Sequence, residues 1–377
     1  MATTDSGTDV VVRAIRADEH LAYVRSLPSA SFLQTPAWGR VKSEWTAESV
    51  GFYAGPVLVG AGLVLYRQLP GIRRSLAYLP EGPVLDWARA DVPALLDGLA
   101  AHLRSRAAFG IRMGPAVVTR RWHAGTIKTA IADPTVHRLG DVTPDESCEV
   151  GAALVETLQR AGWRHQVVAG GFSAGQPRYN FVLPLAGRSE ADVLAGMNQQ
   201  WRRNIKKAAQ AGVEVRVGDR DDIPQFHAAY VETARRDGFT PRPLAYFDTM
   251  YAALNTEQSD RLRLYLAHHD GELVAATTMV RVGEHAWYSY GASTTTKREV
   301  RGSNAIQWQM IRDAIAAQAG VYDLRGITDT LDEDDPHLGL IQFKVGTGGD
   351  AVEYVGEWDL PLSRALYGAF ALYMRRR

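Results

Sequence analysis

The sequence predicts a mixed α/β (α+β) fold built from two similar units, and three observations carry that prediction. The chain has 377 residues and 46% hydrophobic content, enough for a full core and for two or three domains. A pattern of helix, helix, hairpin, strand, helix and strand runs through it twice. Two hairpin segments also read alike, Gly55-Pro-Val-Leu-Val-Gly-Ala61 against Gly271-Glu-Leu-Val-Ala-Ala-Thr277. A repeated unit of roughly 150 residues is an ordinary domain size.

The first pass opens with a short strand, Val10 to Ile15, and two helical stretches. The second of these has Thr35 at the N-cap and Pro36 at the first helical position, the favoured start. A hairpin at Ala54-Gly55 leads into a strand from Val57 to Arg67, then the segment Leu76 to Val84, a helix from about Val92 to Ala108 and a strand from Ile111 to Val118. In the second pass Ser189, with Asp192 three residues on, starts a helix that runs through Trp201 to a stop at Gly212. Strand Val213 to Val217 and a helical region to Leu254 follow. Strand Leu262 to His268 then turns at Asp270-Gly271, a strong two-residue hairpin signal, into Leu273 to Val282. Strand Ala286 to Ala292, helix Ser303 to Ala319 and strand Val321 to Gly326 complete the series. The remaining strand (Val352 to Leu360) and helix (Leu362 to Met374) return to the first unit. The expected units are therefore 1–160 plus 350–377, and 161–349.

Composition narrows the function classes. Formal net charge is zero, so a polyanionic partner must be met by local patches rather than by a global field. The longest apolar runs, such as Pro56 to Tyr66, are too short and glycine-rich to span a bilayer, and Asp5 and Asp9 stand where a signal peptide needs basic and apolar residues. A cytoplasmic protein is expected. The single Cys148 excludes an internal disulfide and, lying in a helical pattern, is assigned to packing. The acidic run Asp332-Glu333-Asp334-Asp335 lacks ligand spacing, and no metal site is assigned.

Two stretches carry chemistry. Phe343-Lys344-Val-Gly346-Thr347-Gly348-Gly349 puts one cation inside a run of glycines after an apolar segment. A loop of this kind can approach a ligand closely, with Lys344 meeting a phosphate or a developing oxyanion; the alternative is a glycine hairpin with a solvated lysine. Trp38 and Lys42 lie four apart on one helix face and could stack on a ring and pair with a phosphate, or be a buried tryptophan with a snorkelling lysine.

The order of elements is that of the GNAT acyltransferase fold, and a closer resemblance follows from seven segments in order. These are Gln34-Thr-Pro-Ala-Trp38-Gly-Arg-Val-Lys42, Glu81-Gly-Pro-Val84, Trp201-Arg-Arg-Asn-Ile-Lys-Lys-Ala208 with Gly212-Val-Glu-Val215, Thr233-Ala-Arg-Arg-Asp-Gly-Phe239, Tyr290-Gly-Ala-Ser293, Tyr322-Asp-Leu-Arg-Gly326 and Phe343-Lys344. The chain resembles the FemXAB family of aminoacyl-tRNA-dependent transferases that build peptidoglycan interpeptide bridges, from about residue 30 to the end. The resemblance implies two tandem GNAT-like domains with a cleft between them. A muropeptide precursor, UDP-linked or lipid-linked, would sit mainly in the first domain and the cleft, and aminoacyl-tRNA would be the co-substrate on the second, with no other cofactor.

By the same resemblance Lys42, Arg242 and Tyr246 hold the phosphate part of the acceptor, Tyr290 helps line the cleft beside Trp38, and Lys344, preceded by Phe343, serves the transfer step. An amine attacking an aminoacyl ester needs no enzyme nucleophile. It needs alignment, loss of a proton and stabilisation of the tetrahedral oxyanion.

Two departures stand out. Gly114 replaces an aspartate that relatives often carry before Pro115, which leaves the general base unassigned, and Thr347 replaces an aromatic in the glycine loop. The helical arm of longer relatives is absent. Basic clusters offer phosphate contacts for tRNA in its place: Arg202, Arg203, Lys206 and Lys207; Arg120-Arg121 with His123; Lys297-Arg298 with Arg301; and the Arg375–Arg377 tail. That tail, closing an apolar helix, also raises contact with the inner membrane surface. Two other activities stay open: transfer to a peptide-like natural product, and acetyl-CoA-dependent acylation. For the latter, Arg298-Glu-Val-Arg301-Gly302-Ser303 offers a single glycine out of register. The donated amino acid and the oligomeric state are not legible.

Overall fold

The structure, a computed structural model, describes residues 10–166 and 175–375. Its strands, in chain order, are β1 (Val10–Ala14), β2 (Thr46–Ala54), β3 (Val57–Gln68), β4 (Ser75–Leu79), β5 (Val84–Leu85), β6 (Ala108–Met113), β7 (Val118–His123), β8 (Glu146–Ser147) and β9 (Arg164–His165). Then come β10 (Tyr179–Pro184), β11 (Glu214–Gly218), β12 (Leu262–His269), β13 (Glu272–Val282), β14 (His285–Ser293), β15 (Val321–Ile327), β16 (Asp350–Tyr354) and β17 (Trp358–Pro361). They form two sheets, one ordered β1-β2-β3-β4-β6-β17-β9 with β5 on β3, the other β11-β12-β13-β14-β15-β10-β16-β7-β8.

The duplication is visible in the pairing. In each sheet four antiparallel strands (β1 to β4, β11 to β14) are followed by a parallel fifth (β6, β15), reached over a crossover helix, Val92–Ser105 in one and Gly302–Ala316 in the other. Two helices separate the first strand from the second in both, Ala17–Arg25 and Pro36–Val41 against Ile223–Asp237 and Leu244–Glu257. The local causes match as well. Val92, Leu95, Leu96, Leu99 and Leu103 give the first crossover helix one buried face, each large side chain contributing about 1.5–3 kcal/mol. The turn Asp270-Gly271 has both residues at positive φ, 51° and 76°, the hairpin geometry that glycine and aspartate favour.

Three expectations change. The strand expected from Ile111 to Val118 is two, β6 and β7, which lie in different sheets. The helix expected from Ser189 to Gly212 is two, Glu190–Gly196 and Gln199–Gln210, because the Asn198 side chain accepts the Trp201 N–H and caps a fresh start. The chain also crosses between the sheets more often than a boundary near residue 160 implies. Strands β7 and β8, and β16 near the chain end, lie in the second sheet, whereas β9 and β17 lie in the first. The cause is pairing: β16 is bonded on one side to β10 and on the other to β7. Of the segment 352–360, only the β17 part joins the first sheet.

A shared core fixes the two units together. Val24, Phe32, Leu33, Trp38 and Leu63 of the first pack with Met250, Leu254, Leu262, Val280 and Trp287 of the second. Glu257 Oε2 accepts the Ala37 N–H at 2.6 Å, and the Arg40 guanidinium donates to the Ala253 carbonyl.

Candidate functional site

The second sheet opens at one point. Strands β14 and β15 are paired only from His285 to Trp287 against Val321 to Asp323. Immediately afterwards β14 slips register against β13 between Tyr288 and Tyr290, a bulge that bends the strand away. Ser289 and Tyr290 on one side of this notch and Arg325 on the other line a cavity of about 580 Å³, whose opposite wall is Trp38, Lys42 and Tyr78 of the first unit.

The structure brings together all five residues assigned to acceptor binding. Trp38, Lys42, Arg242, Tyr246 and Tyr290 line this cavity. Lys42 ends the helix Pro36–Val41 as its C-cap, half-buried, with its ammonium 5.8 Å from the Trp38 ring centre and 5.4 Å from that of Tyr246. Burial, aided by the charge of Arg242 and opposed by Glu44 at 3.9 Å, pulls its pKa down. Arg242 lies over the Tyr246 ring at 5.2 Å and makes no ion pair among the described residues. The Tyr246 and Tyr290 hydroxyls meet at 3.1 Å. Two cations on aromatic faces, one with no carboxylate of its own, form a seat for an anion with a flat group attached.

Lys344 is placed differently from the expectation. The apolar run 338–343 is not the lead-in to an open glycine loop; it is the helix Leu338–Val345, with Phe343 and Lys344 in its last turn. Leu338, Ile341, Lys344 and Val345 are its buried face. Lys344 is only 4% exposed, and its ammonium donates to the Gly326 carbonyl at 2.7 Å and the Arg325 carbonyl at 3.1 Å. Burial pushes its pKa down to about 7, with Asp323 opposing and Arg325 adding to the shift.

The glycines serve packing. A carbon added at Gly346 would lie 2.4 Å from Trp201 Cδ1, and one added at Gly348, where φ is +81°, would lie 2.4 Å from the Gly196 carbonyl oxygen. Thr347, which stands where relatives carry an aromatic, is buried and donates its hydroxyl to the Lys344 carbonyl at 2.6 Å.

Arg325 joins Lys344 to the cavity. Its guanidinium donates to Glu81 Oε1 at 2.8 Å and to Gln176 Oε1 at 3.2 Å, so Glu81 of the first unit and Arg325 of the second form a partly buried ion pair across the cleft. Both hold left-handed backbone conformations, φ 51° and 64°, which persist only where the surroundings over-determine them. At Arg325 that constraint is Asp323, whose Oδ1 accepts the Arg325 N–H at 2.5 Å. Burial works against the Asp323 charge, but His285 and Arg325 outweigh it and hold its pKa down. Sequence reasoning assigned no role to Arg325, Glu81 or Tyr78, although Glu81-Gly-Pro and Tyr322-Asp-Leu-Arg-Gly326 stood out as segments; the missing information was that the two meet.

The basic clusters divide. Helix Gln199–Gln210 presents Arg203, Lys206 and Lys207 to solvent, while Arg202 donates to the Ala195 and Met197 carbonyls. This helix is joined to the Lys344 helix, since Trp201 Nε1 donates to the Phe343 carbonyl at 2.7 Å and the two rings lie 4.7 Å apart. The cluster at 120–123 is neutralised internally: Arg120 pairs with Glu353, and Arg121 and His123 pair with Asp350. Lys297 pairs with Glu272. Arg376 and Arg377 lie outside the described residues. Among the described residues no helix is long and apolar enough to cross a membrane, and no group of His, Cys, Asp or Glu could hold a metal. Gly302 opens the second crossover helix and packs against β13, where an added carbon would lie 2.7 Å from Val274.

Comparisons with known proteins bear on the fold and the family. A lipid II:glycine glycyltransferase of Staphylococcus aureus (strain MRSA252) is 22% identical over 418 aligned residues, spanning 93% of this chain and 92% of that protein. The crystal structure of FemX superposes with a TM-score of 0.79 at 21% identity, covering 95% of this chain and 99% of that one. A tandem GNAT protein from the clavulanic acid biosynthesis pathway superposes at 0.51 and 11% identity, over 93% and 98% of the two chains, so the fold is a pair of GNAT-like units. The sequence matches the FemAB family over residues 15–270 and 252–375, and the chain belongs to that family.

Proposed function

We propose that this aminoacyltransferase moves a small amino acid from aminoacyl-tRNA to the amino group of a peptidoglycan precursor. The observation that carries the reading is the cavity at the β14–β15 notch, where Lys42 and Arg242 offer charge to a phosphate, and Trp38, Tyr246 and Tyr290 offer faces to flat groups. A precursor bearing a diphosphate, whether nucleotide-linked or lipid-linked, has that chemistry. Its peptide would extend toward Tyr78 and Arg325, where the strands part. The glycyltransferase similarity makes glycine, alanine and serine the donors to test first. Arg203, Lys206 and Lys207, on a helix bonded directly to Phe343, are the contacts proposed for tRNA phosphates.

In this reading Lys344 works from behind the cavity wall. Its two bonds end on the carbonyls of Arg325 and Gly326, so it fixes the backbone that presents Arg325 to the reacting groups. Arg325, which lines the cavity, would offer its charge to a developing oxyanion.

The test is transfer of radiolabelled glycine, alanine or serine from charged tRNA to UDP-MurNAc-pentapeptide and to lipid II, with Lys344→Met in parallel. Transfer to either acceptor that collapses in the variant supports both class and site. Folded wild-type protein that transfers to neither sinks the muropeptide reading and leaves a peptide-like natural product as the acceptor to try.

A further inference from the structure

The Glu357 carboxylate occupies room that two glycines leave. A carbon added at Gly114 would lie 3.0 Å from Glu357 Cγ, and one added at Gly175 would lie 1.9 Å from its Oε2. The side chain is only 8% exposed, yet it is wired to the cavity. Tyr78, which lines the cavity, donates its hydroxyl to Glu357 Oε1 at 2.7 Å and accepts from Gln176 Nε2 at 3.2 Å. The Gln176 oxygen in turn accepts from Arg325. One chain of hydrogen bonds thus links an enclosed carboxylate, a phenol on the cavity wall and the arginine in front of Lys344.

This carboxylate has no ion-pair partner of its own among the described residues. Arg112, the cation that faces it, is held by Asp359 through two bonds of 2.7 Å each. Glu81 is committed to Arg325 and Ser31, His165 lies against Gly356, and burial keeps Tyr354 protonated. Burial pushes the Glu357 pKa up, with the Tyr78 hydrogen bond, the Arg112 charge and the Gln176 N–H pulling the other way and Asp359 adding to the rise. An enclosed carboxylate with an elevated pKa, bonded to a group on a cavity wall, is suited to taking a proton.

We propose that Tyr78 and Glu357 form the proton-accepting pair for the attacking amine, Tyr78 touching the substrate and Glu357 acting through it. As the new N–C bond forms, the amine proton passes to the Tyr78 oxygen while the phenolic proton passes to Glu357. As the ester C–O bond breaks, the same path runs backwards and the proton reaches the departing ribose oxygen. One hydrogen has then moved from nitrogen to oxygen, and Glu357 is an ionised carboxylate again. The pair supplies the acid–base group that Gly114 cannot, and it rests on the aminoacyl-transfer reading above.

The experiment uses the full chain and follows transfer from aminoacyl-tRNA to UDP-MurNAc-pentapeptide between pH 6 and pH 8.5, for wild type, Tyr78→Phe and Glu357→Gln. Removing a general base typically lowers kcat about 10²–10⁴-fold, and the acceptor KM should stay within about threefold. Both proteins share the rise in neutral amine with pH, so it cancels in their ratio; the deficit itself should shrink toward high pH, because hydroxide, about tenfold more abundant per pH unit, can take the proton in place of the lost base. Tyr78→Phe deletes one oxygen at the cavity wall and guards against a Glu357→Gln protein that fails to fold. Variants slowed by one constant factor at every pH, or not slowed at all, overturn the relay alone. Wild type that transfers nothing overturns the relay together with the reading beneath it.

Discussion

Replacing Lys344 by methionine should change how stability depends on pH, and the size of the change follows from where the ammonium sits. Burial pushes the Lys344 pKa from 10.5 down to about 7. Between those values the unfolded chain holds a proton that the folded chain has lost, so folding becomes more favourable as pH rises through this window, by about 1.4 kcal/mol per unit once folded Lys344 is neutral. Below pH 7 both states are protonated and the full penalty, on the order of 5 kcal/mol for 3.5 units, is present.

Between pH 7 and pH 9 wild type should therefore gain about 2 kcal/mol that Lys344→Met cannot, less than two full units because folded Lys344 is half-protonated at pH 7. Methionine also leaves the Arg325 and Gly326 carbonyls without their donor, at about 1–3 kcal/mol for each acceptor left buried. At pH 7 that loss and the relief of the buried charge nearly offset one another; at pH 9 the variant should be clearly the weaker protein. Urea unfolding of both proteins at the two pH values, with m unchanged, measures the difference. Other titrating groups cancel in the subtraction, so an equal difference at pH 7 and pH 9 would show that Lys344 stays charged, and the argument from burial would fail.

Other substitutions separate binding from architecture. Lys42→Met and Arg242→Met should each raise the KM for a diphosphate-bearing acceptor by about 10- to 100-fold, the value of one charge-assisted contact, and flatten its salt dependence; for exposed Arg242 the melting temperature should not move, and an unchanged KM would remove it from the site. Arg325→Met strands Glu81 without its cation, and the unfolding free energy should drop by about 3–5 kcal/mol in chemical denaturation. A loss under about 1 kcal/mol would show that the pair is solvated rather than buried. Gly346→Ala presses a methyl group into Trp201 and should destabilise by about 1–3 kcal/mol, read by thermal melting; no shift would mean that the loop has slack.

How much of this was legible in the sequence depended on how local each cause was. Asp270-Gly271, Ser189 with Asp192, and Thr35-Pro36 act within a few residues, and their turn and helix starts lie where the spacing put them. The cations lining the cavity came from two sources. Lys42 and Trp38 share a helix face and were read from their spacing, whereas Arg242 and Tyr246 entered only through the family resemblance. Lys344 was misplaced because a glycine-rich string looks the same whether its glycines admit a ligand or admit Trp201 and the Gly196 carbonyl. Only the partner across the fold decides, and it lies about 140 residues away in the chain.

The same non-locality hid the strongest feature of the site. Glu81 and Arg325 belong to different units, 244 residues apart, and each sits in a backbone conformation that its own segment would not choose. Neither pattern predicts the other, but the contact makes both intelligible: the two strained residues are where one unit is fastened to the other beside the cavity. The apolar contacts of Phe32 and Trp287 are non-directional, whereas this partly buried ion pair, with a further partner on each side, fixes one orientation. Because Lys344, Asp323 and Gln176 all bear on Arg325, a change at any of them should disturb the alignment of acceptor and donor first and the fold second. Transfer rate should therefore prove more sensitive than stability along this chain of contacts, and the reverse order at Gln176, a polar side chain on the cavity wall, would argue that the fastening is structural alone.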